Sequence, residues 1–138
     1  MTDETKPTIR TRLVQKSRPA KGQRRPVNPP VVRASTVLYE NVAALREVRA
    51  KRPTRERAFS YATNGTPTVF ALEDMIADLE GGYRTRVSPS GLAAIAFGMT
   101  PFLRPGDHCL ITESAYEPTR NYAKTFLEPW GVQVEIYK

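Results

Sequence analysis

Residues 87–103 read Val-Ser-Pro-Ser-Gly-Leu-Ala-Ala-Ile-Ala-Phe-Gly-Met-Thr-Pro-Phe-Leu, and no other run constrains the fold as much. A β-type segment over 83–88 enters a turn of small residues, and an Ala-rich segment without charge leaves it. Such a segment is expected to be a buried helix. A strand that turns through small residues into a helix leaves the first-turn N–H groups without intrahelical acceptors. The helix dipole adds positive potential at the same point. The turn is therefore a seat for a phosphate or another anion. Ser88 and Ser90 offer hydroxyl donors, and Gly91 lets the backbone come close to a ligand. The same pattern also serves as a plain connection in α/β chains. Neither Gly-x-Gly-x-x-Gly nor Gly-x-x-x-x-Gly-Lys-Ser/Thr is present, so a phosphate seated here is expected to belong to something other than NAD or ATP.

The neighbouring segments extend the pattern. Pro105-Gly106-Asp107 is a tight turn. A strand is expected over 108–112, a loop over 114–119, a helix over 119–128 and an alternating strand over 132–137. From residue 83 onward the order is β-α-β-α-β, which implies parallel pairing with right-handed crossovers. Upstream, Asn41 caps a helix expected over 42–51, with Val42, Leu45 and Val48 on one face. Arg46, Arg49 and Arg52 lie towards the other side, and Pro53 ends it. Asn64-Gly65 signals a turn, and Thr66-Pro67 opens a helix that runs to Glu80. Its apolar stripe is Phe70, Leu72, Met75, Ile76 and Leu79, and Gly81-Gly82 terminates it. Residues 1–8 are expected to be disordered, 9–15 a helical turn, and 18–30 extended or loop. Val31-Val32 and 35–39 are short extended runs. An arm of this kind cannot bury itself and needs another surface, in this chain or another.

Charge divides the chain in the same way. The net charge of +7 over 138 residues is +10 in residues 1–57 and −3 in residues 58–138. The expected organisation is a basic arm with one helix over 1–57, followed by an α/β part over 58–138. The arm's cations are interleaved with Pro, Val and Ala and it has almost no aromatics, so nucleic acid is the minor reading and a protein surface the main one. No apolar run reaches membrane-spanning length, and the acidic N-terminus has no apolar core behind it, so no membrane partner or secretory signal is expected. The single Cys109 excludes an internal disulfide and a cysteine-based zinc site. Between His108 and Leu110 on a strand it reads as a buried, inert thiol, and no metal site is expected. These features point to the cytoplasm. Three parallel strands with two helices make half of a doubly wound domain, whose sheet needs both faces covered. The chain is accordingly expected to be either a small α/β domain or the N-terminal piece of a longer one, and the second agrees better with a sequence that stops one residue after its last strand.

The order of further landmarks resembles a known family. Val27-Asn-Pro-Pro-Val-Val-Arg-Ala-Ser-Thr36, Tyr61 followed by Asn64-Gly-Thr-Pro-Thr68, Leu72-Glu73 and Leu79-Glu-Gly-Gly82 are similar to segments of the pyridoxal-phosphate (PLP)-dependent Cys/Met metabolism enzymes. Ser90-Gly-Leu-Ala-Ala-Ile95, Pro105-Gly-Asp-His108 and Trp130-Gly-Val132 continue the series. Within the family, Ala115-Tyr-Glu-Pro-Thr119 most resembles the cystathionine β-lyase branch; the γ-synthase and γ-lyase branches more often have Tyr-Gly-Gly-Thr there.

The resemblance implies a fold, a cofactor and roles. The fold would be the first part of a PLP-dependent transferase-like large domain of the aspartate aminotransferase type. Ser90, Gly91 and Leu92 match the turn that holds the phosphate of pyridoxal 5'-phosphate. Tyr116 matches a catalytic tyrosine that stacks on the cofactor ring. Tyr61 matches a tyrosine that reaches a neighbouring subunit's phosphate in a homotetramer of shared-site dimers. Thr63 stands where the family commonly has arginine; a hydroxyl can bond a phosphate but brings no charge. The implied reaction is β-elimination of L-cystathionine to homocysteine, pyruvate and ammonia, a transsulfuration step of methionine biosynthesis. The family's Schiff-base lysine lies downstream, and none of Lys6, Lys16, Lys21, Lys51, Lys124 and Lys138 stands in its motif. This segment alone is therefore expected to be inactive. The alternatives are a γ-synthase or γ-lyase of the same family, a basic-armed binding module, and a degenerate paralogue that pairs with intact subunits.

Overall fold

Four helices begin in the same way, each on a polar residue that the sequence places just before a helical period. The side chains of Thr8, Asn41, Thr66 and Ser90 accept from the amides of Thr11 (3.3 Å), Ala44 (2.9 Å), Val69 (3.5 Å) and Ala93 (3.1 Å). Each cap satisfies a donor that the first turn cannot, and contributes about 1 kcal/mol. The helices are α1 (Ile9–Gln15), α2 (Val42–Ala50), α3 (Pro67–Glu80) and α4 (Gly91–Met99). A fifth, α5 (Glu117–Tyr122), has Pro118 in its first turn. The computed structural model describes residues 7–16, 18, 22, 26–51 and 57–138. The expectations for residues 1–6, for the arm between 19 and 25 apart from Gly22, and for Arg52 and Pro53 lie outside the described residues.

Contacts divide the chain into Met1–Arg86 and Val87–Lys138. In Met1–Arg86 the arm lies on α3 of the same chain. Thr68 ties it there: its hydroxyl accepts from the Val32 amide (2.8 Å) and donates to the Pro30 carbonyl (2.7 Å). α1 is a full helix rather than a single turn, and its Arg12 and Lys16 hold Asp78 of α3 at 2.9 and 3.2 Å. The extended run over 35–39 forms one antiparallel bridge, Thr36 with Tyr61. On α3 the expected stripe is displaced. Leu72 is 49% exposed, whereas Glu73 and Ala77 are buried. Gly81, at φ 64°, closes the helix in the left-handed conformation that glycine adopts without a Cβ penalty.

In Val87–Lys138, β1 (His108–Thr112) pairs in parallel with β2 (Gln133–Tyr137), His108 opposite Gln133 and Thr112 opposite Tyr137. The crossover is α5 followed by a π turn, Ala123–Leu127. It starts at Glu117, two residues before the expected helix start, because Pro118 suits the first turn. The core is Ile111, Ala123, Leu127 and Val132, with Met99, Leu103, Cys109, Ala115, Tyr122 and Val134 packed against it. Cys109 is half-buried, and burial pushes its thiol pKa up.

Two expectations for this part need correction. Residues 83–88 are not a strand: among the described residues the sheet has two strands, 108–112 and 133–137. The architecture remains α/β with a parallel pair. The apolar segment forms the helix α4, but it is not buried, with Leu92 43% and Phe97 67% exposed. Composition sets how apolar a helix is, not what covers it. Among the described residues no helix is long and apolar enough to cross a membrane, and no three His, Cys, Asp or Glu side chains gather as metal ligands.

Candidate anion site and the turn at Tyr61

The start of α4 is built by Ser90. Its backbone is extended (φ −156°, ψ 163°), its hydroxyl accepts from the Ala93 amide, and its carbonyl accepts from the Ala94 amide at 3.0 Å. Ser88 donates its hydroxyl to the same carbonyl at 3.3 Å, which closes the turn around Pro89. These bonds satisfy the amides of Ala93 and Ala94 and leave those of Gly91 and Leu92 at the open helix end. Ser90, Gly91 and Leu92 are all exposed. A Cβ built on Gly91 meets nothing within 4 Å. The helix has nine residues, long enough for its dipole to favour an anion here.

Tyr116 stands at the corresponding place on the next helix. It is the N-cap of α5, and its carbonyl accepts from the Thr119 amide at 2.8 Å. Its side chain makes no capping bond and is 65% exposed. Since α5 returns between two parallel strands, Tyr116 lies at the carboxyl end of β1, the edge where open α/β sheets bind ligands. The tails of α4 and α5 meet, with the Thr100 and Tyr122 hydroxyls 2.6 Å apart. Ser90 and Tyr116 head the two helices at the ends away from that junction.

Tyr61 and Thr63 share one turn in Met1–Arg86. The Ala62 amide donates to Ser35, the Asn64 amide to Tyr61 and the Gly65 amide to Ala62, each at 2.9 Å. Tyr39 donates its hydroxyl to the Ser60 carbonyl (3.1 Å), and the Asn64 amide group donates to the Ser60 hydroxyl (3.1 Å). This network fixes the backbone and leaves Tyr61 and Thr63 exposed. Gly65, at φ 108°, ends the turn, and a Cβ there would overlap the Phe70 ring.

Sequence reasoning missed Glu73 as a participant in this region. It is 1% exposed and pairs with Arg57 at 3.1 Å and with Arg86 at 3.8 Å. The available signal was positional: Phe70, Glu73 and Ala77 fall at i, i+3 and i+7 of one helix face, so a carboxylate sits in the middle of a buried stripe.

Comparison with known proteins gives a consistent result. The model of the Cys/Met metabolism PLP-dependent enzyme family matches residues 10–138. A cystathionine beta-lyase of Bordetella avium is 37% identical over 112 residues, 81% of this chain and 28% of its own length. Cystathionine beta-lyase MetC of Escherichia coli is 34% identical over 122 residues, 88% of this chain and 30% of its own. The crystal structure of metB from Corynebacterium glutamicum superposes with a TM-score of 0.80 at 26% identity, covering 99% of this chain and 33% of that one. The chain spans about a fifth to a third of the length of the curated relatives it matches.

Proposed function

Because this chain belongs to the Cys/Met metabolism PLP-dependent enzymes, we propose that its α4 N-terminus holds the phosphate of pyridoxal 5'-phosphate, in a protein that acts as a carbon–sulfur β-lyase on L-cystathionine. The observation that carries this reading is the exposed pair of amides at Gly91 and Leu92, framed by Ser88 and Ser90, with open space where a Gly91 Cβ would stand. The donor set fits a phosphate: backbone N–H groups and hydroxyls at a positive helix end. Hydrogen bonds to a charged acceptor contribute about 1.5–3 kcal/mol each.

The other residues take roles around that seat. Tyr116 presents an exposed phenol at the carboxyl end of β1, where its face can press on the cofactor ring and its oxygen can hold or pass a proton at the substrate's reacting carbon. Tyr61 and Thr63 serve the phosphate of a neighbouring subunit, in dimers that share their sites and pair into a tetramer. Thr63 contributes a hydroxyl and no charge. Bound PLP supplies the electron sink for removal of the substrate's α-proton and loss of the Cβ–S bond. The products are homocysteine, pyruvate and ammonia, those of a transsulfuration step in methionine biosynthesis, and the proposed compartment is the cytoplasm. Within the family, Ala115-Tyr-Glu-Pro-Thr119 favours the β-lyase over the γ-synthase and γ-lyase branches.

The test is to purify the polypeptide as its source expresses it, record cofactor absorbance, and incubate it with L-cystathionine. Pyruvate with cofactor absorbance supports the reading, while 2-oxobutyrate moves the assignment to the γ branches. An intact, folded protein that takes up no PLP overturns it.

A further inference from the structure

We propose that Glu73, acting through Arg57 and Phe70, is the positioning residue for the turn that carries Tyr61 and Thr63. The proposal rests on the reading of Tyr61 as a cofactor contact only for its consequence, not for its geometry.

The argument starts from burial. A carboxylate 1% exposed must be paired, since an isolated buried charge costs several kcal/mol or more. Its close partner is Arg57, itself only 18% exposed, at 3.1 Å. Arg57 also bonds Asp74, the next residue of α3, and its guanidinium carbon lies 5.6 Å from the centre of the Phe70 ring. Residues 70, 73 and 74 lie within one turn of α3, so the guanidinium is held from one helix face by two carboxylates and an aromatic ring.

Phe70 carries this restraint to the turn. Its ring occupies the space beside Gly65 that a Cβ would otherwise fill. The ring is therefore held between the Arg57 guanidinium and the backbone that ends the Tyr61 turn. Glu73 fixes Arg57, Arg57 fixes Phe70, and Phe70 is the surface on which the turn rests. Since Arg57 is matched by Glu73 and Asp74, its charge is committed to this cluster. It does not replace the cation that Thr63 fails to supply, and the turn must be placed by geometry instead.

The experiment uses the polypeptide as its source expresses it, bearing Glu73→Gln. Amide hydrogen exchange is followed at Ala62, Asn64 and Gly65 and along α3, and PLP affinity is titrated in parallel. The expected result is exchange at least about tenfold faster at the three turn amides, with α3 amides within about twofold of wild type, and a PLP Kd raised about threefold or more. Unchanged exchange at the turn overturns the proposal, as does equal loss of protection throughout α3, which would mark Glu73 as a general support of the helix. Phe70→Leu keeps the Glu73–Arg57 pair and removes the ring. It is expected to loosen the same three amides, and unchanged protection there overturns the proposal even if Glu73→Gln fails to fold. Loosened amides with unchanged PLP affinity support the positioning role and remove Tyr61 from the cofactor site.

Discussion

The anion seat at α4 can be tested by removing one hydrogen atom without disturbing the helix. Proline is favoured at the first helical position, where its missing N–H has no intrahelical acceptor. It requires the preceding residue to be extended, and Ser90 already is, at φ −156° and ψ 163°. The Cβ of the new ring meets no crowding, since one built at Gly91 has nothing within 4 Å. Gly91→Pro therefore keeps α4 and deletes one donor to the phosphate, whereas Gly91→Ala keeps both. A hydrogen bond to a charged acceptor is worth about 1.5–3 kcal/mol, and 1.4 kcal/mol is tenfold, so Gly91→Pro is expected to weaken PLP binding about 10- to 150-fold. Gly91→Ala is expected to stay within about twofold. The assay is titration of the apoprotein with PLP by absorbance, with circular dichroism to verify that both variants keep their helix. Equal affinity of the two variants, or an equal loss in both, would refute the assignment of the Gly91 amide as a phosphate ligand.

Other outcomes follow from the packing and the charges. Leu127→Ala removes a fully buried side chain from the small core around Ile111 and Val132, and is expected to cost about 2–5 kcal/mol, read as a lower midpoint of chemical denaturation. The hydrogen bond from Arg12 holds the Asp78 carboxyl below the usual range, with Lys16 adding to it. A lowered native pKa means that the contribution is present at neutral pH and fades as pH falls through that lowered value. Protection of α1 amides should therefore drop only at acid pH, and Asp78→Asn should remove that step. Cys109, whose thiol pKa is raised by burial, should react more slowly with iodoacetamide at pH 8 than a free cysteine does. Residues 1–138 expressed alone should release no pyruvate from L-cystathionine, with or without added PLP.

What the sequence revealed was mostly local. The caps at Asn41 and Thr66 depend on a side chain and an amide three residues away, and both form as expected; Ser90, read as a hydroxyl donor to an anion, instead accepts from the Ala93 amide as a third cap. The Ser90 turn was legible for the same reason, since a few consecutive residues build it. The segment over 83–88 shows where this ends. Its side-chain pattern suits a strand, but a strand is defined by its neighbour, and pattern alone does not supply one. The α4 segment was read correctly as helix and wrongly as buried, because the first follows from its own residues and the second from what packs on it.

The Arg57–Glu73 pair carries the same lesson into function. Periodicity placed Leu72 on the inner face of α3 because leucine is apolar, yet Leu72 is 49% exposed and Glu73, one residue on, is 1% exposed. The reversal follows once Arg57 is present, because the pair lets a carboxylate take an interior position, and Arg57 comes from a segment 16 residues away that no local window joins to α3. The pair also bears on Thr63. A turn with an arginine at that position would be drawn to a phosphate by charge over several ångströms, and small errors of placement would matter little. A hydroxyl acts only at hydrogen-bond distance, so its contribution falls off when the backbone shifts by even an ångström. If Thr63 contacts a phosphate as proposed, its turn depends more on being held still, and the ring of Phe70, lying between Arg57 and Gly65, is placed to supply that restraint.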